Sequence, residues 1–288
     1  MSNSRAKHVV LMGLPATGKT SFLAALWYLV QHRQVASRLR LERFEGDSKY
    51  LNQISQAWAG YELVPHTSVD SETVVSMVLK DAENGETITV TFPDLSGESF
   101  TLQWTTRQFT TGYDDSLQQA SGAILFITPL YYRKPIRIDM AAPLIEEIVG
   151  GEAKQESIQD TGATLKPWNP ETAPTQVELV ELLQFIIGRS YFKAPFRLAI
   201  IVSAWDRLSA TGVSPSEWVF NTFPLFRQYL SSNNPVFQHT VYGVSAQGCD
   251  YGNLAKTIDQ VPSERIQVVG SGVKNAHDLT EPLLWLMQ

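Results

Sequence analysis

The stretch GLPATGKT occupies residues 13–20 of the chain. It matches the pattern G-x-x-x-x-G-K-[ST] at every fixed position, which predicts a loop whose backbone N–H groups surround phosphate oxygens. The apolar run VVLM precedes it at 9–12, and the helical pattern KTSFLAALWYLVQ follows at 19–31. We therefore expect a buried strand, a phosphate-binding loop and a helix, in this order, with the N-terminus of the helix directed at the anion.

The chemistry of phosphate and Mg²⁺ binding explains each residue type in this loop. The glycines allow the backbone to curl, the Lys19 ammonium reaches the β- and γ-phosphates, and the Thr20 hydroxyl is a ligand for Mg²⁺. Pro15 has no N–H, so the cradle is expected to use the amides of residues 16–20. The residues predicted to bind nucleotide here are Gly13, Pro15, Ala16, Thr17, Gly18, Lys19, Thr20 and Ser21.

The composition excludes several other classes of protein. The 288 residues are 43% hydrophobic and carry a net charge of −6, so no broad basic field exists to bind nucleic acid. A single cysteine cannot form a disulfide or a cysteine zinc site within the chain, and a reducing cytoplasm is the expected setting. No apolar run approaches the roughly 20 residues of a membrane span.

Alternating strand and helix patterns follow the loop. The Asn84-Gly85 pair predicts a hairpin turn between the first two of the later strands. Strands are predicted at 73–80, 87–93, 121–128, 196–203 and 239–245, and helices at 35–64, 176–187, 214–231 and in the C-terminal tail. This order predicts a three-layer α/β P-loop NTPase fold: a mostly parallel sheet with one antiparallel hairpin strand, and helices on both faces.

Residues 131–175 interrupt this alternation. They are rich in proline and polar residues, and strands of one sheet are predicted on both sides. Long irregular segments inside a domain are usually functional or disordered. We therefore interpret residues 1–288 as a single domain with an insertion at 131–175, which is a candidate surface for a protein partner.

The sequence DLSGE at 94–98 follows a predicted strand and matches D-x-x-G. In this position Asp94 is expected to bind Mg²⁺ through water, and the Gly97 N–H is expected to contact a γ-phosphate. Glu98 follows directly and can orient an attacking water. The predicted catalytic residues are accordingly Lys19, Gly97 and Glu98.

Two further motifs follow the last predicted strands. In SAWD at 203–206, the carboxylate of Asp206 can accept hydrogen bonds from N1–H and the 2-amino group of guanine, which adenine lacks. In SAQG at 245–248, a backbone N–H can contact guanine O6. The residues predicted to bind the base are Asp206, Arg207, Ser245, Ala246 and Gln247.

The ordered motifs GLPATGKT, DLSGE, SAWD and SAQG resemble the G1, G3, G4 and G5 motifs of TRAFAC-class GTPases. The run SAWDR and the closing DLTEPLLWL are also similar to bacterial double-GTPase domains of multigene conflict or defence systems. The resemblance implies a molecular switch with GTP or GDP as ligand and Mg²⁺ as cofactor, which hydrolyses GTP slowly and regulates a partner protein. An ATP-dependent P-loop enzyme and a pseudo-GTPase scaffold without turnover are the alternatives.

Some residues depart from the class. Ser203 and Ala204 stand where asparagine and lysine are usual, and the stem of that lysine normally covers one face of the base. Trp205 or Arg207 could replace it by stacking. Glu98 stands where many members carry glutamine. The switch threonine that binds Mg²⁺ has no unique match, and we choose Thr67, with Ser68 and Thr73 as alternatives.

Overall fold

A mixed sheet forms the centre of the computed structural model, which describes residues 7–46, 48–62, 75–93, 98–108, 110–135, 169–249 and 259–288, with the backbone alone at 98, 99 and 171. The strands are β1 (Lys7–Gly13), β2 (Leu39–Glu45), β3 (Val75–Asp81), β4 (Thr87–Phe92), β5 (Gly122–Ile127), β6 (Phe196–Ser203), β7 (Phe237–Ser245) and β8 (Gln267–Gly270). Their order in the sheet is β2-β3-β4-β1-β5-β6-β7-β8.

The central strands β4, β1, β5, β6 and β7 are parallel, and their carboxyl ends therefore meet at one edge of the sheet. β3 and β4 form the predicted antiparallel hairpin. β2 and β8 add antiparallel pairs at the two sides of the sheet. Ligands of open α/β sheets bind beyond the carboxyl ends of the strands, so this edge is where a site is expected.

Helices cover both faces of the sheet. They are α1 (Lys19–His32), α2 (Ser48–Ala59), α3 (Glu98–Thr106), α4 (Thr111–Gln119), α5 (Thr175–Ile187), α6 (Pro215–Thr222), α7 (Pro224–Ser232) and α8 (Glu281–Met287). Alternate residues of β1 enter two separate cores: Val9 and Leu11 pack with α1, α2 and α8, whereas Val10 and Met12 pack with α3 to α7. The three-layer α/β fold is confirmed. Within the described residues, no helix is both long and apolar enough to cross a bilayer.

Two predicted elements differ in the structure. Residues 39–45 lie in the strand β2 rather than in a helix, because LRLERFE has the alternation of a half-exposed edge strand. The helix predicted at 214–231 is two helices, α6 and α7, which meet at Phe223. Phe223 precedes Pro224 and has φ −124° and ψ 68°, outside the helical region that a following proline disfavours. A capping box between Ser214 and Glu217 is present at the start of α6.

The two ends of the 131–175 segment hold each other. The Arg133 N–H donates to Thr175 Oγ1 (3.0 Å), and the Thr175 N–H donates to Arg133 O (3.0 Å). The Arg133 guanidinium also pairs with Glu178 Oε1 at 2.7 Å. Burial raises the pKa of Glu178 to about 6, against the opposing effect of the Arg133 guanidinium. Residues 136–168 lie outside the described residues, and the insertion remains a prediction.

Candidate functional site

The loop between β1 and α1 has the backbone conformation that its glycines allow. Gly13 has φ 151°, and a Cβ there would lie 2.9 Å from Phe126 O and 3.0 Å from Thr17 Oγ1. Gly18 has φ 88° and caps α1, with its Cβ position 3.1 Å from Ser203 Cβ. Side chains at these two positions would collide or be strained. The glycines of the motif therefore allow the loop to curl tightly between β5 and β6.

Lys19 lies inside this loop. Its side chain is only 4% exposed, and its Nζ donates to Gly13 O (2.7 Å) and Leu14 O (3.0 Å). The same ammonium lies 5.4 Å from the centroid of the Phe100 ring on α3. Carbonyl groups and a ring face thus hold a buried positive charge where the sequence predicts phosphate binding.

A cavity of about 250 Å³ opens beside the loop. Four segments line it, each at the carboxyl edge of the sheet: the loop and start of α1, the residues after β5, the turn after β6 and the residues after β7. Eight of the predicted nucleotide-binding residues line the cavity: Ala16, Gly18, Ser21, Asp206, Arg207, Ser245, Ala246 and Gln247. Gly13, Pro15, Thr17, Lys19 and Thr20 belong to the adjoining loop and do not line this cavity.

Asp206 and Ser245 contact each other across two strand ends. The Ser245 hydroxyl donates to Asp206 Oδ1 at 2.5 Å, and Ser245 Oγ accepts from the Gly248 N–H at 3.1 Å. Ser245 is 1% exposed, so its hydroxyl is fixed. This chain of hydrogen bonds orients the Asp206 carboxylate at the cavity wall, where it can accept further hydrogen bonds from a ligand.

Trp205 does not reach this cavity. Its side chain is 3% exposed, and a Cβ added at Gly243 of β7 would lie 2.4 Å from the indole Cδ2. The ring therefore occupies the space that glycine leaves on β7, which excludes the predicted stacking role of Trp205. Arg207 is exposed and lines the cavity, so it keeps that possible role.

Residues distant in sequence support the 245–248 loop. The Trp58 Nε1–H at the end of α2 donates to Ala246 O at 3.0 Å. Arg265 is 1% exposed, and its guanidinium donates to Trp58 O and Ala59 O at 3.2 Å each. Its Cζ atom lies 3.8 Å from the centroid of the Tyr61 ring. These contacts cap the C-terminus of α2 and connect it to the loop. Sequence reasoning missed both Trp58 and Arg265, because no local pattern links residues about 190 to 210 positions apart.

α3 connects the phosphate loop with the base of the 131–175 segment. Phe100, in the first turn of α3, faces Lys19. One turn later, the Trp104 Nε1–H donates to Pro170 O at 2.6 Å, and Arg107 forms an ion pair with Glu181 of α5. A displacement of α3 at its phosphate end would therefore strain its contacts with residues 170 and 181.

Part of the predicted site falls outside the described residues. Asp94, Gly97 and Thr67 lie outside the described residues. α3 begins at Glu98, and of Glu98 only the backbone is described. β4 ends at Phe92, beside β1 and parallel to it. The predicted Mg²⁺ ligands Thr20, Thr67 and Asp94 stay predictions, and so do the predicted catalytic roles of Lys19, Gly97 and Glu98.

Comparison with known proteins identifies a family for this chain. No curated protein sequence matches the chain. The nucleolar GTP-binding protein 1 of Plasmodium falciparum is 12% identical, with a TM-score of 0.35 over 89% of this chain and 85% of that one. The G domain of the T. maritima FeoB iron transporter is 13% identical, with a TM-score of 0.35 over 91% and 99%. Both scores are low, so the family match carries the assignment. The family model Double-GTPase 1 matches residues 10–286, and the chain therefore belongs to the Double-GTPase 1 family.

Proposed function

We propose that this chain is a guanine-nucleotide-binding molecular switch that hydrolyses GTP to GDP and phosphate. The observation that carries the proposal is a cavity lined both by Ala16 and Gly18 of the phosphate loop and by the Asp206–Ser245 pair. One end of this cavity lies beside the phosphate loop that holds the buried Lys19, and the other end offers the oriented carboxylate of Asp206. Membership of the Double-GTPase 1 family supports the same conclusion.

The phosphates would bind at the loop and the N-terminus of α1. There the Lys19 ammonium would exchange Gly13 O and Leu14 O for oxygens of the β- and γ-phosphates. Mg²⁺ would neutralise further phosphate charge. The Thr20 hydroxyl, Thr67 and, through water, Asp94 are the oxygen ligands that suit this hard cation. Glu98 would orient the attacking water, and the Gly97 N–H would contact the γ-phosphate.

The base would lie between the turns after β6 and β7. Asp206 would accept hydrogen bonds from guanine N1–H and the 2-amino group, while Ser245 holds its carboxylate in place. A backbone N–H of residues 245–247 would contact O6. Adenine presents neither donor to Asp206, so this end of the cavity would select guanine.

Loss of the γ-phosphate would release the segments around Thr67 and Gly97. α3 starts directly after Gly97 and contacts both Lys19 and the base of the insertion at 131–175. The change from GTP to GDP would thereby alter the contacts of α3 at the base of that insertion, where a regulated partner protein would bind. The resemblance to bacterial double-GTPase domains supports a place for this switch in a bacterial multigene system.

Single-turnover hydrolysis tests the enzymatic part of this proposal. With protein in excess over radiolabelled GTP and with Mg²⁺, phosphate release should exceed the rate in buffer. Glu98→Ala should lower that rate by about 10-fold to 100-fold, because water loses its orienting group. The exposed Glu264 provides the control, and Glu264→Ala should leave the rate unchanged. A wild-type rate equal to buffer would favour the scaffold without turnover.

A further inference from the structure

Leu130 is an exposed apolar residue at the wall of the nucleotide cavity. Its side chain is 47% exposed, whereas most of the large apolar side chains described are buried. It lines the cavity together with Ala204 and Arg207. Covering an exposed leucine with a ligand is favourable, because apolar surface is removed from water. The place of Leu130 in this wall therefore indicates contact with an apolar part of the ligand.

The backbone holds Leu130 beside the turn after β6. Ile127 at the end of β5 pairs with Val202, and Ser203 Oγ donates to Ile127 O at 3.3 Å. The chain then turns, and the Leu130 N–H donates to Oγ1 of Thr128 (3.3 Å), a cavity residue that is 3% exposed. This hydrogen bond to Thr128 positions the backbone of Leu130 at the cavity wall.

The turn after β6 contributes little apolar surface to the cavity. Ala204 has only a methyl group and lies in the left-handed region at φ 47°. Trp205 is buried against β7. Phe22, Phe126, Ile201 and Val244 also line the cavity, but these side chains are buried, whereas Leu130 is exposed.

We propose that Leu130 covers one face of the guanine base in place of the lysine stem that Ala204 lacks. The inference rests on the proposed nucleotide binding. Leucine methyl groups pack on a purine ring regardless of its exocyclic groups. Leu130 would therefore supply affinity, while Asp206 supplies the choice of base.

This role can be tested by isothermal titration calorimetry, in which GDP or a non-hydrolysable GTP analogue is titrated into the protein in the presence of Mg²⁺. Leu130→Ser should weaken both ligands by the same factor, about 10-fold, because the lost contact is with the base they share. It should also make the heat-capacity change of binding less negative, since less apolar surface is buried. Leu130→Met should restore most of the affinity, because methionine keeps an apolar side chain of similar volume.

Leu225 provides the matched control. It is a leucine of similar exposure, 40%, on α7 and outside the cavity lining, so Leu225→Ser should leave both affinities unchanged. Thermal melting of each variant separates loss of contact from loss of fold. Wild-type affinity in a folded Leu130→Ser protein would overturn the role of Leu130 alone. A wild-type chain that binds no guanine nucleotide would overturn the proposed function and this inference together.

Discussion

Lys19→Ala is expected to weaken binding of Mg²⁺-GTP by at least about 100-fold, because charge-assisted hydrogen bonds to phosphate are among the strongest in proteins. The lysine is buried, and its ammonium is already held at the loop by Gly13 O and Leu14 O. Water that fills the space of the lost side chain carries no charge, so it cannot replace the attraction between the ammonium and the phosphates in a buried site. Titration calorimetry of GTP analogue and GDP measures the loss, which should be at least as large for the triphosphate.

Lys193→Ala is the control for Lys19→Ala. Lys193 is exposed in the turn before β6 and is not part of the cavity lining, so its removal should change neither affinity. Lys19→Arg should not restore binding, since a planar guanidinium does not fit a buried site built around a compact ammonium. Retained affinity in a folded Lys19→Ala protein would mean that the phosphates bind elsewhere.

Asp206→Asn is expected to move base preference from guanine towards xanthine. The asparagine oxygen still accepts the hydrogen bond from Ser245, so the turn should keep its geometry. Its amide group now donates where guanine also presents a donor, the 2-amino group, whereas xanthine presents a carbonyl oxygen there. We expect GDP affinity to fall about 100-fold and xanthosine diphosphate affinity to rise by a similar factor.

Competition of GDP, xanthosine diphosphate and ADP against a fluorescent guanine nucleotide measures this change. The exposed Asp259 is the matched control, and Asp259→Asn should leave the order of affinities as in the wild type. An Asp206→Asn protein with unchanged preference for GDP would contradict the role of Asp206, even if the phosphate loop still binds.

The sequence predicted the elements whose determinants are local. The phosphate loop, the Asn84-Gly85 hairpin and the buried strands β5 and β6 were all evident from motif and periodicity. The same reasoning failed at β2, because a half-exposed edge strand such as LRLERFE also fits an amphipathic helix when its sheet partner is unknown. It also missed the short edge strand β8, whose four residues pair with the distant β7.

The candidate site divides in the same way. The wall residues Asp206 and Ser245 were identified from motifs that follow strands, and the parallel strands bring them to one cavity. Trp58, Arg265 and Leu130 were not identified, because their roles depend on contacts between segments that only the folded chain brings together. Trp205 could have been read either as a base-stacking residue or as a core residue, and only the glycine opposite it on β7 decides between these.

Selection of guanine by this protein can be measured by parallel titration of GDP and ADP into the unaltered chain with Mg²⁺. We expect GDP to bind at least about 100-fold more tightly than ADP, because only guanine presents the two donors that Asp206 can accept from. Equal affinity, or preference for ADP, would contradict guanine selection by Asp206. An ATP-dependent P-loop enzyme would then be the better interpretation of this site.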